Sequence, residues 1–217
     1  MTGTPNGMLF VATDVAAQDE ADFNRWYDRE HVEERVRIDG FLSGARYQAL
    51  QGGRKYLGLY KTVSLDSFTS AAYHAAFTRQ TPWSVASLDK MVDPMRRVCA
   101  VAAVIGFGCG SHLGVITLPA EDAAVLTPRV SQLGEMLSAE AGFVCSSLLL
   151  PDAALSTPLP KEAPDNRTLS PMLLIESSSA EAGERLNALA CQQLNIAADA
   201  VLRYALGWQL TAQELKS

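Results

Sequence analysis

The chain is poor in the residues that build metal and disulfide frameworks: 4 cysteines and 3 histidines in 217 residues. Cys99, Cys109, Cys145 and Cys191 are far apart and include no Cys-x-x-Cys pair. A zinc ribbon or a stapled scaffold is therefore excluded, and reduced, mostly buried thiols are expected. His31, His74 and His112 fall in separate segments with no His-x-x-x-His spacing, which gives no metal site. Basic residues are outnumbered, 18 Lys and Arg against 24 Asp and Glu, for a net charge of -6. They form no stripe, so nucleic acid is not an expected partner. Nothing approaches a membrane-spanning run, and no basic n-region precedes the first apolar stretch, which Asp14 interrupts. A cytoplasmic protein without a membrane partner is expected, and Asn166-Arg-Thr then reads as a chance sequon. There is no Gly-x-Ser-x-Gly elbow for a nucleophilic serine. The glycines between Gly106 and Gly114 lack the G-x-G-x-x-G spacing and lead into a strand, as a linker would.

What the chain has is enough apolar material for a sizeable core: 48% hydrophobic residues and 19% charged. Met8 to Val15 is a β-branched apolar run, followed by a helical period from Asp19 to about Ile38. Phe41–Leu50 and Tyr56–Val63 flank Gly52-Gly53 and read as a hairpin. A helix is predicted from Leu65 to about Thr78 with Ser64 as its cap, then a shorter segment from Pro82 to about Val92, then a strand from Arg97 to Phe107. The order is β-α-β-β-α-β, the ferredoxin-like arrangement. It begins again with strand Leu113–Leu118, a helix within Pro119–Glu140, strands Val144–Leu150 and Met172–Glu176, helix Ala180–Gln193 and strand Val201–Leu210. Gly142-Phe143 follows Gly40-Phe41 at an offset of 102 residues. An internal duplication is the simplest account. Residues 1–108 and 109–217 are expected to form two ferredoxin-like repeats that pack sheet to sheet as an α+β barrel within one chain. Residues 151–171 carry five of the ten prolines and form a long connection, read as a mobile surface loop or as a lid.

On a wheel of about 100° per residue, Phe23, Trp26, Tyr27, Glu30, His31, Glu34 and Ile38 share one side of the first helix. Carboxylates and an imidazole on a core-facing side need partners or a wet cavity. Tyr27 and His31 are one turn apart and able to touch, and an imidazole beside carboxylates suits proton transfer. The bland reading pairs Glu30 or Glu34 with Arg35 or Arg46 and makes His31 a satisfied helix-end histidine. Alternation places Phe41, Ala45 and Tyr47 on one face of their strand and Arg46 on the other, where a buried Arg46 needs an acidic or aromatic partner.

The run Phe23-Asn-Arg-Trp-Tyr-Asp-Arg-Glu-His-Val32, with Glu34-Arg35, Gly40-Phe41-Leu42 and Arg46-Tyr47, resembles the first-helix signature of the dimeric α+β barrel superfamily, most closely its EthD-like branch. The resemblance covers the first half; the second half shares only the strand order. It implies a small-molecule pocket between sheet and helices, His31 as acid or base, Glu30 as orienter or second acid, Tyr27 and Trp26 as walls, and Arg46 holding an anionic substituent. Tyr47, Tyr60, His74 and Trp83 stand behind them. Where relatives carry a proline shortly after the histidine this chain has Glu33, which extends the helix. The same offset places Pro128, Arg129, Gln132 and Leu133 opposite Trp26, Tyr27, Glu30 and His31, so one site per chain is expected.

The function expected is cofactor-free isomerase, cyclase or lyase chemistry on a small aromatic, polyketide-like or lactone molecule. The alternatives are a non-catalytic binding or structural barrel, and an oxygenase-type enzyme with or without haem. A homo-oligomer is possible, with Val32 and Val36 on the far side of the helix as its contact.

Overall fold

The computed structural model describes residues 5–163 and 167–216, so the sequon asparagine Asn166 lies outside it. Strand β1 (Gly7–Val15) leads to helix α1 (Glu20–Trp26), a π-helical turn (Tyr27–His31) and helix α2 (Val32–Val36). Strands β2 (Phe41–Gln51) and β3 (Tyr56–Thr62) form the hairpin, whose Gly52 and Gly53 have φ of 67° and 66°. Both lie in the left-handed region that glycine enters without steric cost. A 3-10 turn (Leu65–Thr69), helices α3 (Ala71–Thr78) and α4 (Pro82–Asp89), and the long β4 (Met91–Gly106) complete the first unit. The second unit is β5 (His112–Thr117), α5 (Ala123–Ser138), β6 (Phe143–Pro151), β7 (Met172–Ser177), α6 (Ala180–Leu194) and β8 (Leu202–Thr211).

All neighbouring strands are antiparallel, in the closed order β1-β3-β2-β8-β5-β7-β6-β4. Within each βαββαβ unit the first strand sits between the third and the fourth. The units join edge to edge at β2–β8, where Ala45 faces Gln209, and at β4–β6, where Ala100 faces Leu150. The result is the expected α+β barrel, closed by one chain. Every strand has cover on both faces, which is why β1 is apolar at odd and even positions alike. Met8 and Phe10 point into the barrel with Leu57, Leu113 and Leu174, whereas Leu9 faces the first helices. A separate core under α5 and α6 contains Ile116, Leu126 and Leu186. No helix among the described residues is long and apolar enough to cross a membrane.

Four local features depart from the sequence pattern. The Leu65–Thr78 segment is split, and Ser70, not Ser64, caps the helix by accepting from Tyr73 N. A bulge between Phe41 and Ser43 breaks alternation at Leu42. Phe41 therefore packs under the helices, whereas Ala45 and Tyr47 face the barrel interior. The π turn inserts one residue into the first helix, so the buried stripe beyond it moves to Val32, Arg35 and Val36. Val32 and Val36 thus pack against this chain's own sheet and offer no surface to another subunit.

The fourth feature is the connection after β6. Ser156 donates to Val98 O and accepts from Val98 N, closing the segment onto β4. Glu162 pairs with Arg97, accepts from Arg167 Nε at 3.0 Å and from the backbone N of Arg96 at 3.2 Å. Residues 152–163 are therefore a strap tied across the first unit, not a loose surface loop.

Candidate functional site

The π turn creates the side-chain arrangement at the site. Trp26 and His31 are five residues apart and would diverge by about 140° on a regular α-helix. With the extra residue between them, their rings pack in a tilted pair at 4.3 Å between centroids and 33° between planes. Tyr27 meets His31 edge-on at 4.9 Å and 72°, and Tyr60 on β3 approaches at 6.4 Å and 89°. The imidazole is 6% exposed, and its Nδ1 is buried without a hydrogen-bond partner. It is neither at a helix end nor satisfied, as the bland reading required.

His31 lines a cavity of about 440 Å³ between the first sheet and its helices. The floor comes from Leu9, Val11 and Tyr60, and one wall from Tyr27, His31 and Arg35. The opposite wall is Phe77, Gln80, Val85 and Leu88, and the strap contributes Leu159, Pro160 and Lys161 at the edge. This volume suits a ring-sized molecule, and the lining is mostly apolar with few polar groups, as small-molecule sites usually are.

The other residues predicted from the sequence divide clearly. Trp26 is fully buried behind His31, and its Nε1 donates to Ser84 Oγ at 3.0 Å. Ser84 Oγ donates in turn to Glu30 Oε1 at 3.0 Å, which also accepts from Thr81 Oγ1 at 2.6 Å. Glu30 thus ties α4 to the π turn and does not reach the cavity wall. Arg46 has both kinds of partner its burial demands. It donates to Asp28 Oδ1 at 3.3 Å and Asn24 Oδ1 at 3.2 Å, and its Cζ lies 4.0 Å from the Tyr27 ring centroid. It supports Tyr27 from the side away from the cavity. Tyr47 is in the barrel interior, with its hydroxyl 3.5 Å from Cys109 Sγ, across the sheet from His31. Trp83 is half-buried, donating to Asp22 Oδ2 at 3.4 Å beside Arg25, and His74 is exposed. Of the predicted set, His31, Tyr27 and Tyr60 meet at the cavity.

Electrostatics fix the protonation states there. Burial, reinforced by the nearby Arg35 and Arg46 cations, holds the His31 pKa well below its ordinary value, so the imidazole is neutral. Burial pushes the Tyr27 phenol up, opposed by Arg46 and Arg35, and pushes the Tyr60 phenol well above its usual range. The neutral imidazole keeps a lone pair free for a proton, but the burial and cations that keep it neutral also weaken it as a base, so it takes a proton readily only when a negative charge on the ligand offsets them.

Sequence reasoning missed Arg35 as a cavity residue. The regular wheel turned it away, and nothing in the one-letter pattern marks a π turn. Phe77 and the strap residues were likewise hidden, because only tertiary packing brings them to the cavity. In the second unit, the region between β5, β8 and α6 holds a cavity of about 150 Å³ that includes His112, Asn187 and Arg203. Asn187 fills space there, close enough to Gly114 that any Cβ at that position would collide with it.

Compared by sequence, the chain matches no protein-family model and no curated protein. Compared by structure, it resembles an anthrone oxidase-like protein at TM-score 0.65 and 10% identity, over 97% of this chain and 94% of that one. A candidate monooxygenase from Fusobacterium nucleatum subsp. nucleatum aligns at 0.63 and 8% identity, over 97% and 96%. A single-site variant of chlorite dismutase from Candidatus Nitrospira defluvii aligns at 0.56 and 11% identity, over 99% and 94%. These likenesses establish a shared ferredoxin-like α+β barrel.

The geometry at His31 gives no support to the haem that the sequence resemblance allowed. Trp26 packs against the face of the cavity's histidine, and Tyr27 and Tyr60 approach it edge-on. No carboxylate or carbonyl accepts from its Nδ1 to orient it as an axial ligand.

Proposed function

We propose that the barrel binds a small, largely apolar ring compound under the first pair of helices, and that His31 removes a proton from it without a cofactor. The observation that carries this reading is the neutral, unpartnered imidazole in the wall of a ring-sized cavity. Tyr27 and Trp26 fix the orientation of the imidazole, and Arg46 acts through Tyr27, not on the ligand. Abstraction of a proton next to a carbonyl, or from a phenol, is the first step shared by isomerase, cyclase and lyase chemistry. The fold likeness to the anthrone oxidase-like and monooxygenase-type proteins favours a second outcome of the same step, oxygen attack on an electron-rich ring. The first-helix residues Phe23 to Val32 support an EthD-like branch. The repeated element order supports units 1–108 and 109–217 as copies, the second serving as structural partner.

The test is a thermal-shift screen of phenolic, quinone and lactone compounds, followed by NMR detection of solvent deuterium exchange into the compounds that bind. Wild type is expected to be stabilised and to catalyse exchange, and His31→Gln to bind without exchanging. If no compound stabilises wild type, or if His31→Gln exchanges as fast as wild type, the reading is wrong.

A further inference from the structure

Four arginine side chains are buried among the described residues, and three have their guanidinium hydrogen-bonded. Arg46 is held by Asp28 and Asn24, Arg97 by Glu162, and Arg96 by Tyr73 Oη and the strap carbonyls of Leu155 and Thr157. Arg35 is the exception. It is 5% exposed, lines the cavity one turn after His31, and its Nη1 is buried with no partner. Its side chain forms no ion pair among the described residues. Its Cζ lies 4.7 Å from the Phe77 ring centroid, a contact that orients the guanidinium without neutralising it. The acids around it are committed elsewhere. Asp89 pairs with Lys161 at 3.0 Å, and Glu30 takes the Thr81 and Ser84 hydroxyls. Glu34 is half-buried and feels the Arg35 charge, but it makes no hydrogen bond or ion pair with it, and burial and Glu30 shift its carboxyl pKa up on balance. His31 Nδ1 is a further buried polar atom without a partner on the same cavity.

We infer that Arg35 is the receptor for an oxyanion on the ligand, so that the site takes ring compounds carrying a delocalised acidic oxygen, a carboxylate or an ionised phenol or enol. A buried guanidinium without a counter-charge is unfavourable alone and becomes favourable when an anion arrives. Such an anion also offsets the positive charge that His31 acquires on taking a proton. The inference rests on the cavity being the ligand site, as proposed above.

Calorimetry on the full chain at pH 7.5 tests it with matched pairs: 1-naphthoate against 1-naphthamide, and an acidic nitrophenol against its methyl ether. The anionic member of at least one pair is expected to bind ten-fold or more tightly, and the pair that discriminates identifies the oxyanion. Arg35→Gln should abolish the preference and Arg35→Lys retain part of it. His31→Gln should keep the preference while losing proton exchange, which separates this inference from the catalytic reading. Equal affinities within both pairs on wild type overturn it, as does a preference that survives in folded Arg35→Gln. The wild-type comparison decides even if the variants do not fold.

Discussion

Trp26 and His31 pack ring against tilted ring at 4.3 Å although they are five residues apart, a contact that depends on the π turn between them. Deleting Arg29, which is exposed in that turn, should restore regular helix and swing one side of it by about 100° relative to the other. The expected cost is about 3 kcal/mol, because either the Trp26 side or the Val32 and Val36 side leaves the core. Denaturant titration together with far-UV circular dichroism checks this: helix content should hold while the midpoint falls and ligand stabilisation disappears.

Acid sensitivity should follow from His31. Its folded pKa is depressed, so the unfolded chain binds the extra proton first. The stability involved is complete above about pH 6.5 and is lost as pH falls below that value, by at most about 1.4 kcal/mol per pH unit. Urea midpoints at pH 7.5 and 5.5 should differ in wild type and converge in His31→Phe. An equally steep decline in that variant would assign the effect elsewhere.

Glu30 is a positioning residue for α4 on the geometry described. Glu30→Ala strips the acceptor from two hydroxyls and should lower stability by about 2 kcal/mol. Glu30→Gln, which keeps an acceptor oxygen, should recover most of that loss and leave the pH profile of proton exchange unchanged. A displaced profile would instead make Glu30 a participant in the chemistry.

Glu162 secures the strap. Burial alone would raise its carboxyl pKa, but the Arg97 guanidinium and two backbone amides outweigh it, so the net shift is downward. Its contribution is therefore present above about pH 4.5 and lost as pH falls through the folded value. Glu162→Ala leaves Arg97 buried without its counter-charge, held only by the carbonyls of Thr168 and Arg96, which should cost about 3 kcal/mol. Limited proteolysis should then cut within residues 152–163 in the variant while wild type resists.

The strand order, the Gly52-Gly53 hairpin and the first helix as the seat of the site were all legible, because they rest on periodicity and turn chemistry that act locally. The geometry of the site was not. A wheel drawn at a constant 100° placed Glu30 and Glu34 inward and Arg35 outward, and one inserted residue rearranged that assignment. Alternation along β2 failed at Leu42 for a similar reason: a bulge has no reliable sequence mark. Ser156 and Glu162 looked like ordinary loop residues, since their partners on β4 lie more than fifty positions away in sequence.

Because one polypeptide supplies all eight strands, the barrel's closure is an intramolecular event and is insensitive to dilution. Among the described residues it also leaves no unpaired strand edge to template association with another molecule. Each half is free to accumulate its own substitutions, with no second copy of the same gene product forced to carry them. A cavity of about 440 Å³ in one half and one of about 150 Å³ beside Asn187 in the other is an asymmetry that two identical subunits related by symmetry could not have.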